Sequence, residues 1–339
     1  MTEPSSSSAM PFAVVGAGSW GTALAIHAAS AGHDVVLWGH DVDNVARLRE
    51  ERENAAYLAG IPFPATLRVT AVPEEALRDA RLVISAVPSR FLRDVWARLG
   101  SSVAPDAHLI SATKGIEEGS GLRMTELLRE VIPVSVRSLS ALSGPSFARE
   151  LAEGQPTAVA LGCADAAAAE QVQVALSYGP LRVYRNSDLI GVEIAGALKN
   201  VIALAAGIAA GLSLGANSSA ALISRGLREI SRLAVELGGR AETMMGLAGL
   251  GDLVLTCNGP LSRNRGVGVA IGRGQTLDEA TRGMTMVAEG IATTRSVRQI
   301  ARRHGVEMPI AEQVYRVLYG GTPARQAIDE LLARALVEE

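Results

Sequence analysis

The chain has 339 residues, with 32 basic and 35 acidic side chains and a formal net charge of −3. This length is typical of two domains, and the charge does not favour nucleic acid or an anionic membrane as a partner. Its two cysteines, Cys163 and Cys257, form neither a disulfide framework nor a metal-spaced pair, so we expect a reducing, cytoplasmic compartment and no metal site.

The first ten residues are rich in serine and contain no basic residue. They lack the positively charged start of a secretory signal peptide. We therefore interpret residues 1–10 as a disordered tail, with either Met1 or Met10 as the true start.

Between residues 11 and 189, short apolar runs alternate with helical periodicity. The runs predict strands at Phe12–Val15, Val35–Trp38, Leu82–Val87, His108–Ala112, Ser138–Ser143, Thr157–Leu161 and Leu181–Tyr184. This alternation is typical of a parallel, doubly wound α/β sheet, so we predict a Rossmann-type dinucleotide-binding domain over residues 11–189.

From residue 190 to residue 339 the strand signals vanish and helical periodicity continues. We predict an all-α C-terminal domain that carries the substrate and the catalytic groups. Its most apolar stretch, Val201–Leu212, is too short to span a membrane and indicates a buried core helix.

A glycine-rich motif, G-A-G-S-W-G over residues 16–21, follows the first predicted strand and precedes a helix. In this βαβ context the motif predicts dinucleotide binding. Gly16 permits the tight turn, Gly18 lets a diphosphate approach the backbone, and Gly21 allows close packing of helix and strand. The diphosphate is expected at the positive end of that helix.

The end of the second predicted strand concerns the choice between NAD and NADP. NAD-specific sites usually place Asp or Glu here to bind the ribose 2′-hydroxyl, whereas this chain reads W-G-H-D over residues 38–41. Since His40 would not repel a 2′-phosphate, we expect NADPH to be tolerated or preferred. Two alternatives stay open: Asp41 could swing toward the ribose, and His40 could be an ordinary surface histidine.

Only two of the 32 basic side chains are lysines, Lys114 and Lys199. Arginine cannot replace a compact ammonium group with a tunable pKa, so both lysines are candidates for chemistry. Lys199 lies in a predicted helix that is apolar nearly all round; such helices are buried, and burial lowers the pKa of a lysine. We favour Lys199 as a proton donor, with a structural ion pair to Glu193 as the alternative.

Other candidates adjoin predicted element ends. Lys114 follows a strand, at the edge where open α/β sheets bind ligands, although an exposed loop lysine is the alternative. The segment 144–148 begins a helix whose free N–H groups suit an anion, or which Ser146 simply caps.

Asp252 could pair with a protonated lysine, and Thr256 shares its helical face. Arg263 offers bidentate recognition of phosphate, unless it is one more solvated arginine.

Together these segments resemble the bacterial NAD(P)-dependent sn-glycerol-3-phosphate dehydrogenase family. The matching stretches follow the family order from residue 12 to about residue 335. They are residues 14–25, 37–40, 112–115, 142–148, 198–203, 249–257, 262–264, 287–290 and 306–310.

The resemblance implies that NADPH or NADH reduces dihydroxyacetone phosphate to glycerol 3-phosphate for phospholipid synthesis. It implies that Lys199 exchanges the proton, with Lys114 and Asp252 also catalytic. Implied cofactor contacts are Gly16, Gly18, Ser19, Trp20, Gly21, His40, Lys114, Ala148, Arg263, Val287 and Glu289. Implied substrate contacts are Lys114, Gly144, Ser146, Lys199, Asp252, Ser262, Arg263 and Asn264. Family members are usually homodimers.

Two rival functions are kept. One is another dehydrogenase with a Rossmann and a helical domain, acting on a hydroxy acid or 6-phosphogluconate. The other is a non-catalytic dinucleotide sensor or scaffold, which would need the glycine-rich turn but no buried lysine with a carboxylate partner. We expect neither nucleic acid nor an integral membrane segment.

Overall fold

The computed structural model describes residues 10–284 and 286–335. The described residues form two compact units. The first unit contains the residues up to 113 together with 124–189, and the second contains residues 114–123 together with the chain from 190 onward. Except for Met10, the tail predicted at residues 1–10 lies outside the described residues.

The first unit is built on one eight-stranded sheet. Its strands are β1 (Pro11–Val15), β2 (Asp34–Trp38), β3 (Arg68–Thr70), β4 (Leu82–Ser85), β5 (His108–Ser111), β6 (Ser138–Ser143), β7 (Thr157–Gly162) and β8 (Leu181–Asn186). They lie in the order β3-β2-β1-β4-β5-β6-β7-β8. Strands β2 and β3 lie on one side of β1, and β4 lies directly on its other side. The strand order therefore reverses between β1 and β4, and sheets of this kind bind dinucleotides at such a switch point.

The predicted doubly wound α/β fold is confirmed, with two differences in detail. The sequence did not indicate β3, which pairs with β2 over only three residues. In addition, β7 runs antiparallel to β6, although all the other neighbouring strands are parallel. The central strands are buried along their whole length because helices cover both faces of the sheet.

Among the described residues of the first unit there are eight α-helices and one 3₁₀ turn, Gly100–Ser102. The α-helices are α1 (Ser19–Ser30), α2 (Val42–Glu51), α3 (Ala55–Leu58), α4 (Pro73–Leu77), α5 (Ser89–Leu99), α6 (Met124–Val131), α7 (Ala148–Ala152) and α8 (Ala166–Leu176). Asp41 caps α2 and Asp165 caps α8, each by accepting hydrogen bonds from backbone N–H groups of the first turn. The core is built mainly from Ala, Val, Leu and Ile, as the low aromatic content requires.

From residue 190 onward, the described residues of the second unit form helices joined by loops, as predicted, whereas residues 114–123 contain no helix. The helices are α9 (Leu189–Gly211), α10 (Ala216–Glu236), α11 (Asp252–Asn258), α12 (Arg263–Gly272), α13 (Leu277–Thr281), α14 (Glu289–His304), α15 (Pro309–Tyr319) and α16 (Ala324–Leu332). A 3₁₀ turn (Ala241–Met245) and a π-helical turn (Leu247–Gly251) lead into α11.

Helix α9 forms the core of the second unit. It is long and apolar enough to cross a membrane by composition, but 83% of its most apolar window is buried inside the protein, as in the core helix of a globular domain. Glycines allow a close approach between α9 and α12, because a Cβ atom on Gly207 would lie 2.9 Å from the Cα atom of Gly268. The lysine in the middle of α9 is therefore enclosed by protein.

Candidate active site

Lys199 lies near the middle of α9 and is only 7% exposed. Its Nζ donates hydrogen bonds to the Asp252 carboxylate and, over 2.9 Å, to Oγ1 of Thr256. Thr256 in turn donates to the backbone oxygen of Asp252. Two side chains of α11 thus give the amine one charged and one neutral acceptor.

Asp252 binds both lysines of the chain. It is fully buried, and its Oδ2 accepts a hydrogen bond from Lys114 Nζ at 2.7 Å while Oδ1 accepts from Lys199. The π-helical turn before α11 delivers this carboxylate, and single π turns are frequent at functional sites. We name Lys114, Lys199, Asp252 and Thr256 the lysine–aspartate cluster.

Burial and the neighbouring charges shift the pKa values of Lys199 and Asp252. Burial, reinforced by the like charge of Lys114, lowers the pKa of Lys199 to about 7 against the attraction of Asp252. Burial would raise the pKa of Asp252, but the two ammonium groups outweigh it and hold that pKa below its ordinary value. Lys199 can therefore gain or lose a proton near neutral pH while Asp252 stays ionised.

A chain of buried amides supports the cluster. Asn200 Nδ2 donates to the backbone oxygen of Lys114 at 3.4 Å, and Asn200 Oδ1 accepts from Asn264 Nδ2 at 2.9 Å. Asn264 Oδ1 accepts from the backbone N–H of Gly290, in the first turn of α14. Asn264, predicted as a substrate contact, thus ties together α9, α12 and α14.

The start of α12 presents the predicted phosphate-binding arginine. Ser262 is buried and caps α12 by accepting a hydrogen bond from the N–H of Arg265. Arg263 is exposed, and its guanidinium donates to the backbone oxygen of Val287 at 2.9 Å. Glu289 is close enough for its charge to act on Arg263. Three predicted cofactor residues, Arg263, Val287 and Glu289, therefore lie together.

The glycine-rich turn of the first unit suits a dinucleotide diphosphate. Gly16 has a φ of +113°, and a Cβ on Gly21 would lie 1.9 Å from the backbone oxygen of Gly16. A Cβ on Gly18 would meet nothing within 4 Å, so the turn is open at this point. Helix α1 begins there without a side-chain cap and without an acidic residue in its first turn. Its positive end can therefore face an anion.

The residues around this turn have distinct surroundings. Ser19 Oγ donates to the backbone oxygen of Tyr57 at 2.8 Å. Within the described residues, the buried Nε1 of Trp20 has no hydrogen-bond partner. His40 is exposed, whereas Asp41 is occupied as the cap of α2 through the N–H of Asn44. The side chain that could exclude a 2′-phosphate therefore has a structural task.

The segment 144–148 also belongs to the first unit. Gly144 is buried with a φ of +136°, and a Cβ there would lie 2.9 Å from the Cα of Val159. Ser146 Oγ donates to the backbone oxygen of Gly144 at 2.9 Å, and α7 begins at Ala148. Phe147, not Ser146, occupies the N-cap position of α7, so the alternative of capping by Ser146 is wrong.

Two features of the site were missed or misassigned from the sequence. Thr256 was not among the predicted site residues, although its spacing of four residues from Asp252 on one helix is the signal that could have identified it. Glu193, the alternative partner of Lys199, instead forms a buried ion pair with Arg123. Within the described residues, the buried ion pair of Lys199 is with Asp252.

Comparison with known proteins agrees with these features. The family model for the N-terminus of NAD-dependent glycerol-3-phosphate dehydrogenase matches residues 11–169, and the model for its C-terminus matches residues 188–329. A glycerol-3-phosphate dehydrogenase [NAD(P)+] of Geobacter sp. (strain M21) is 49% identical over 96% of this chain and 98% of its own length. One from Shigella boydii serotype 18 is 47% identical over 96% of both chains.

Solved structures extend the comparison to the fold. The crystal structure of glycerol-3-phosphate dehydrogenase from Coxiella burnetii is 40% identical and has a TM-score of 0.92, over 96% of this chain and 99% of that chain. A PanE/ApbA family ketopantoate reductase from Ralstonia eutropha, 14% identical with a TM-score of 0.61 over 95% of this chain and 100% of its own, shares the fold alone. The chain therefore belongs to the NAD-dependent glycerol-3-phosphate dehydrogenase family.

Proposed function

We propose that this chain is an NAD(P)-dependent glycerol-3-phosphate dehydrogenase that reduces dihydroxyacetone phosphate to sn-glycerol 3-phosphate and supplies glycerophospholipid synthesis. The observation that carries the proposal is the buried amine of Lys199, held on Asp252 with a pKa near 7. An amine of this kind suits reversible proton transfer to an alkoxide.

Lys199 is the proposed proton donor for reduction and the proton acceptor for oxidation. The dinucleotide, when bound, supplies or receives the hydride. Protonated Lys199 gives its proton to the substrate oxygen, and Asp252 with Thr256 keeps the amine oriented before and after the transfer. Lys114, on the other oxygen of Asp252, stabilises negative charge on the substrate.

Binding of the substrate phosphate is assigned to the start of α12. The exposed guanidinium of Arg263 offers paired N–H donors, and the neighbouring Ser262 and Asn264 are buried and held in place. Gly144 and Ser146 are further proposed substrate contacts. Binding energy from the phosphate then orients the carbonyl group for reaction.

Binding of NADPH or NADH is assigned first to the glycine-rich turn and the start of α1. Residues 11–189 form the proposed dinucleotide-binding domain and residues 190–339 the proposed catalytic domain. The further proposed cofactor contacts are Ser19, Trp20, His40, Lys114, Ala148, Arg263, Val287 and Glu289. NADPH is the expected preference because Asp41 caps α2 and an exposed histidine precedes it.

The proposed assembly is a cytoplasmic homodimer, in keeping with the habit of the family. Light scattering of the purified protein gives the molar mass directly. A value near 35.3 kDa, the mass of one chain, would overturn the dimer.

A steady-state assay that follows nicotinamide absorbance tests the function. Dihydroxyacetone phosphate, a 2-oxo acid and, in the oxidative direction, 6-phosphogluconate are compared with each cofactor. Turnover with dihydroxyacetone phosphate alone supports the proposal. Turnover with one of the other substrates would favour the related dehydrogenases, and cofactor binding without any turnover would favour a dinucleotide sensor.

A further inference from the structure

Residues 114–123 form a hairpin that begins with Lys114 and ends with Arg123. An isolated antiparallel bridge joins Ile116 to Arg123, and the N–H of Glu117 donates to the backbone oxygen of Leu122 at 3.0 Å. Although it interrupts the sequence of the first unit, this Lys114 hairpin belongs to the second. Its first residue supplies an ammonium group to Asp252.

Two helices hold the Lys114 hairpin. On α14, Ser296 Oγ donates to the backbone oxygen of Ile116, and Gln299 Nε2 donates to that of Gly119. On α9, the carboxylate of Glu193 binds the guanidinium of Arg123. The side chains of Arg123 and Glu193 are only 13% and 5% exposed. A second ion pair joins Glu118 of the hairpin to Arg295 of α14, and these side chains are 51% and 49% exposed.

The Arg123–Glu193 pair is costly to separate because it is buried. Removing one partner of a buried ion pair leaves the other charge without compensation, so the pair resists separation far more than a surface pair does. Glu193 precedes Lys199 by six residues on α9, about 9 Å along the helix axis. One rigid helix therefore fixes both the end of the Lys114 hairpin and the amine of Lys199.

We propose, on the basis of the function proposed above, that Arg123 and Glu193 are positioning residues that hold the Lys114 ammonium on Asp252 by pinning the Lys114 hairpin to α9. Neither side chain needs to touch the substrate. Their effect reaches the reaction through the position of Lys114.

The position of Lys114 has a measurable consequence at Lys199. The groups that face Lys199 are Asp252, Lys114, the Thr256 hydroxyl and the Cys257 thiol, whose pKa burial raises to about 12, so that it stays neutral. Among the described residues that face Lys199, Lys114 is the one whose positive charge lowers its pKa, and Lys114 belongs to the hairpin. A loosened hairpin should raise that pKa.

The test makes the same chemical change in a buried and in an exposed ion pair of the hairpin. Glu193→Gln removes the buried anchor, and Glu118→Gln, the control, removes the exposed pair. We expect Glu193→Gln to lower kcat/KM roughly 10–100-fold, as small misplacements of a reacting group do. The pH at which glycerol 3-phosphate oxidation rises should increase by about 0.5–1 unit. Glu118→Gln should stay within about twofold of the parent.

A second readout does not depend on the substrate. Because the chain has only Lys114 and Lys199, acylation of amines followed by peptide mass spectrometry reports each lysine separately. Glu193→Gln should increase the labelling rate of Lys114 at least severalfold, whereas Glu118→Gln should not. This result would support the positioning role even if the enzyme acted on another substrate, so failure of the proposed function can be told apart from failure of the inference.

Folding is controlled by circular dichroism and by Arg123→Lys, which keeps the charge. We expect Arg123→Lys to retain most of the parental activity and the parental pH profile. A folded Glu193→Gln protein with parental Lys114 labelling and an unshifted pH profile would overturn the proposal. If Glu193→Gln does not fold, parental labelling and pH profile in a folded Arg123→Gln protein would overturn it equally.

Discussion

The proposed ligand sites of the two units are built from different parts of the polypeptide. In the first unit the prepared surface is backbone: a turn with two constrained glycines and the uncapped start of α1. In the second unit it consists of side chains: two lysines, one carboxylate and one hydroxyl, nearly all of them buried. Substitutions should therefore act through steric fit in the first unit and through charge and proton affinity in the second.

The largest effect is expected from Lys199→Met, which keeps the side-chain volume but removes the amine. We expect kcat to fall about 10³-fold, because general acid–base groups contribute on this order. Affinity for NADPH, measured by fluorescence titration, should not change. A variant that retains a tenth of the parental kcat would show that charge in the second unit is not the source of catalysis.

Glycine substitutions test the first unit. Gly21→Ala places a Cβ 1.9 Å from the backbone oxygen of Gly16, so we expect both weaker cofactor binding and a loss of about 1–3 kcal/mol in stability. Gly18→Ala meets no protein atom within 4 Å, so it should weaken cofactor binding roughly tenfold with little change in melting temperature. Equal melting temperatures for the two variants would contradict the steric explanation.

The pH dependence of the reaction tests the protonation state of Lys199 in the second unit. The pKa of Lys199 is lowered to about 7. In the proposed mechanism, oxidation needs its neutral amine as the proton acceptor. The rate of glycerol 3-phosphate oxidation should therefore rise with pH through about 7, while reduction, which needs the protonated amine, should fall over the same interval. Profiles of kcat in both directions that move in parallel would rule out Lys199 as the shared proton carrier.

A side chain, not the backbone, is expected to set cofactor preference in the first unit. His40→Asp places a carboxylate where NAD-specific sites have one, and it should reduce the preference for NADPH over NADH roughly tenfold. The ratio of kcat/KM for the two cofactors measures this change. A control in which Asp43, an exposed carboxylate near the start of α2, becomes Asn should leave the ratio unchanged.

The fold and the burial of Lys199 could be predicted because their signals are local. Strand and helix alternation, the glycine-rich turn and the isolated lysine of an apolar helix are each visible within a short window. Strand β3 was missed because three residues do not form a recognisable run. The Asp252–Thr256 relation was visible as an i,i+4 spacing but was not assigned to the site.

The rest depends on contacts between distant residues. Arg123 and Glu193 are 70 positions apart, and nothing local in either segment indicates that they meet. The sequence therefore offered Glu193 as a partner of Lys199, on the same helix, when its real partner lies on the Lys114 hairpin. Likewise, the chain of amides through Asn200 and Asn264 depends on three helices meeting at one place.

The smallest effect is expected at a buried charge of the second unit that lies outside the lysine–aspartate cluster. Glu229, on α10, is 1% exposed and accepts hydrogen bonds from the N–H groups of Ile310 at 2.7 Å and Ala311 at 3.2 Å. Burial raises its pKa to about 7, against these two hydrogen bonds and the charges of Arg232 and Arg334. Its carboxylate fastens α10 to the start of α15.

Because the pKa of Glu229 is higher in the folded protein than its ordinary value of 4.5, its contribution to stability is complete below about pH 4.5 and is lost as the pH rises through about 7. Glu229→Gln removes this titration, so between these pH values the melting temperature of the parent should fall relative to that of the variant. Its kcat should stay within about twofold of the parent, since the residue only joins two helices. An equal pH dependence of the two melting temperatures would contradict the raised pKa of Glu229. A large loss of kcat in the variant would contradict a purely structural role for this residue.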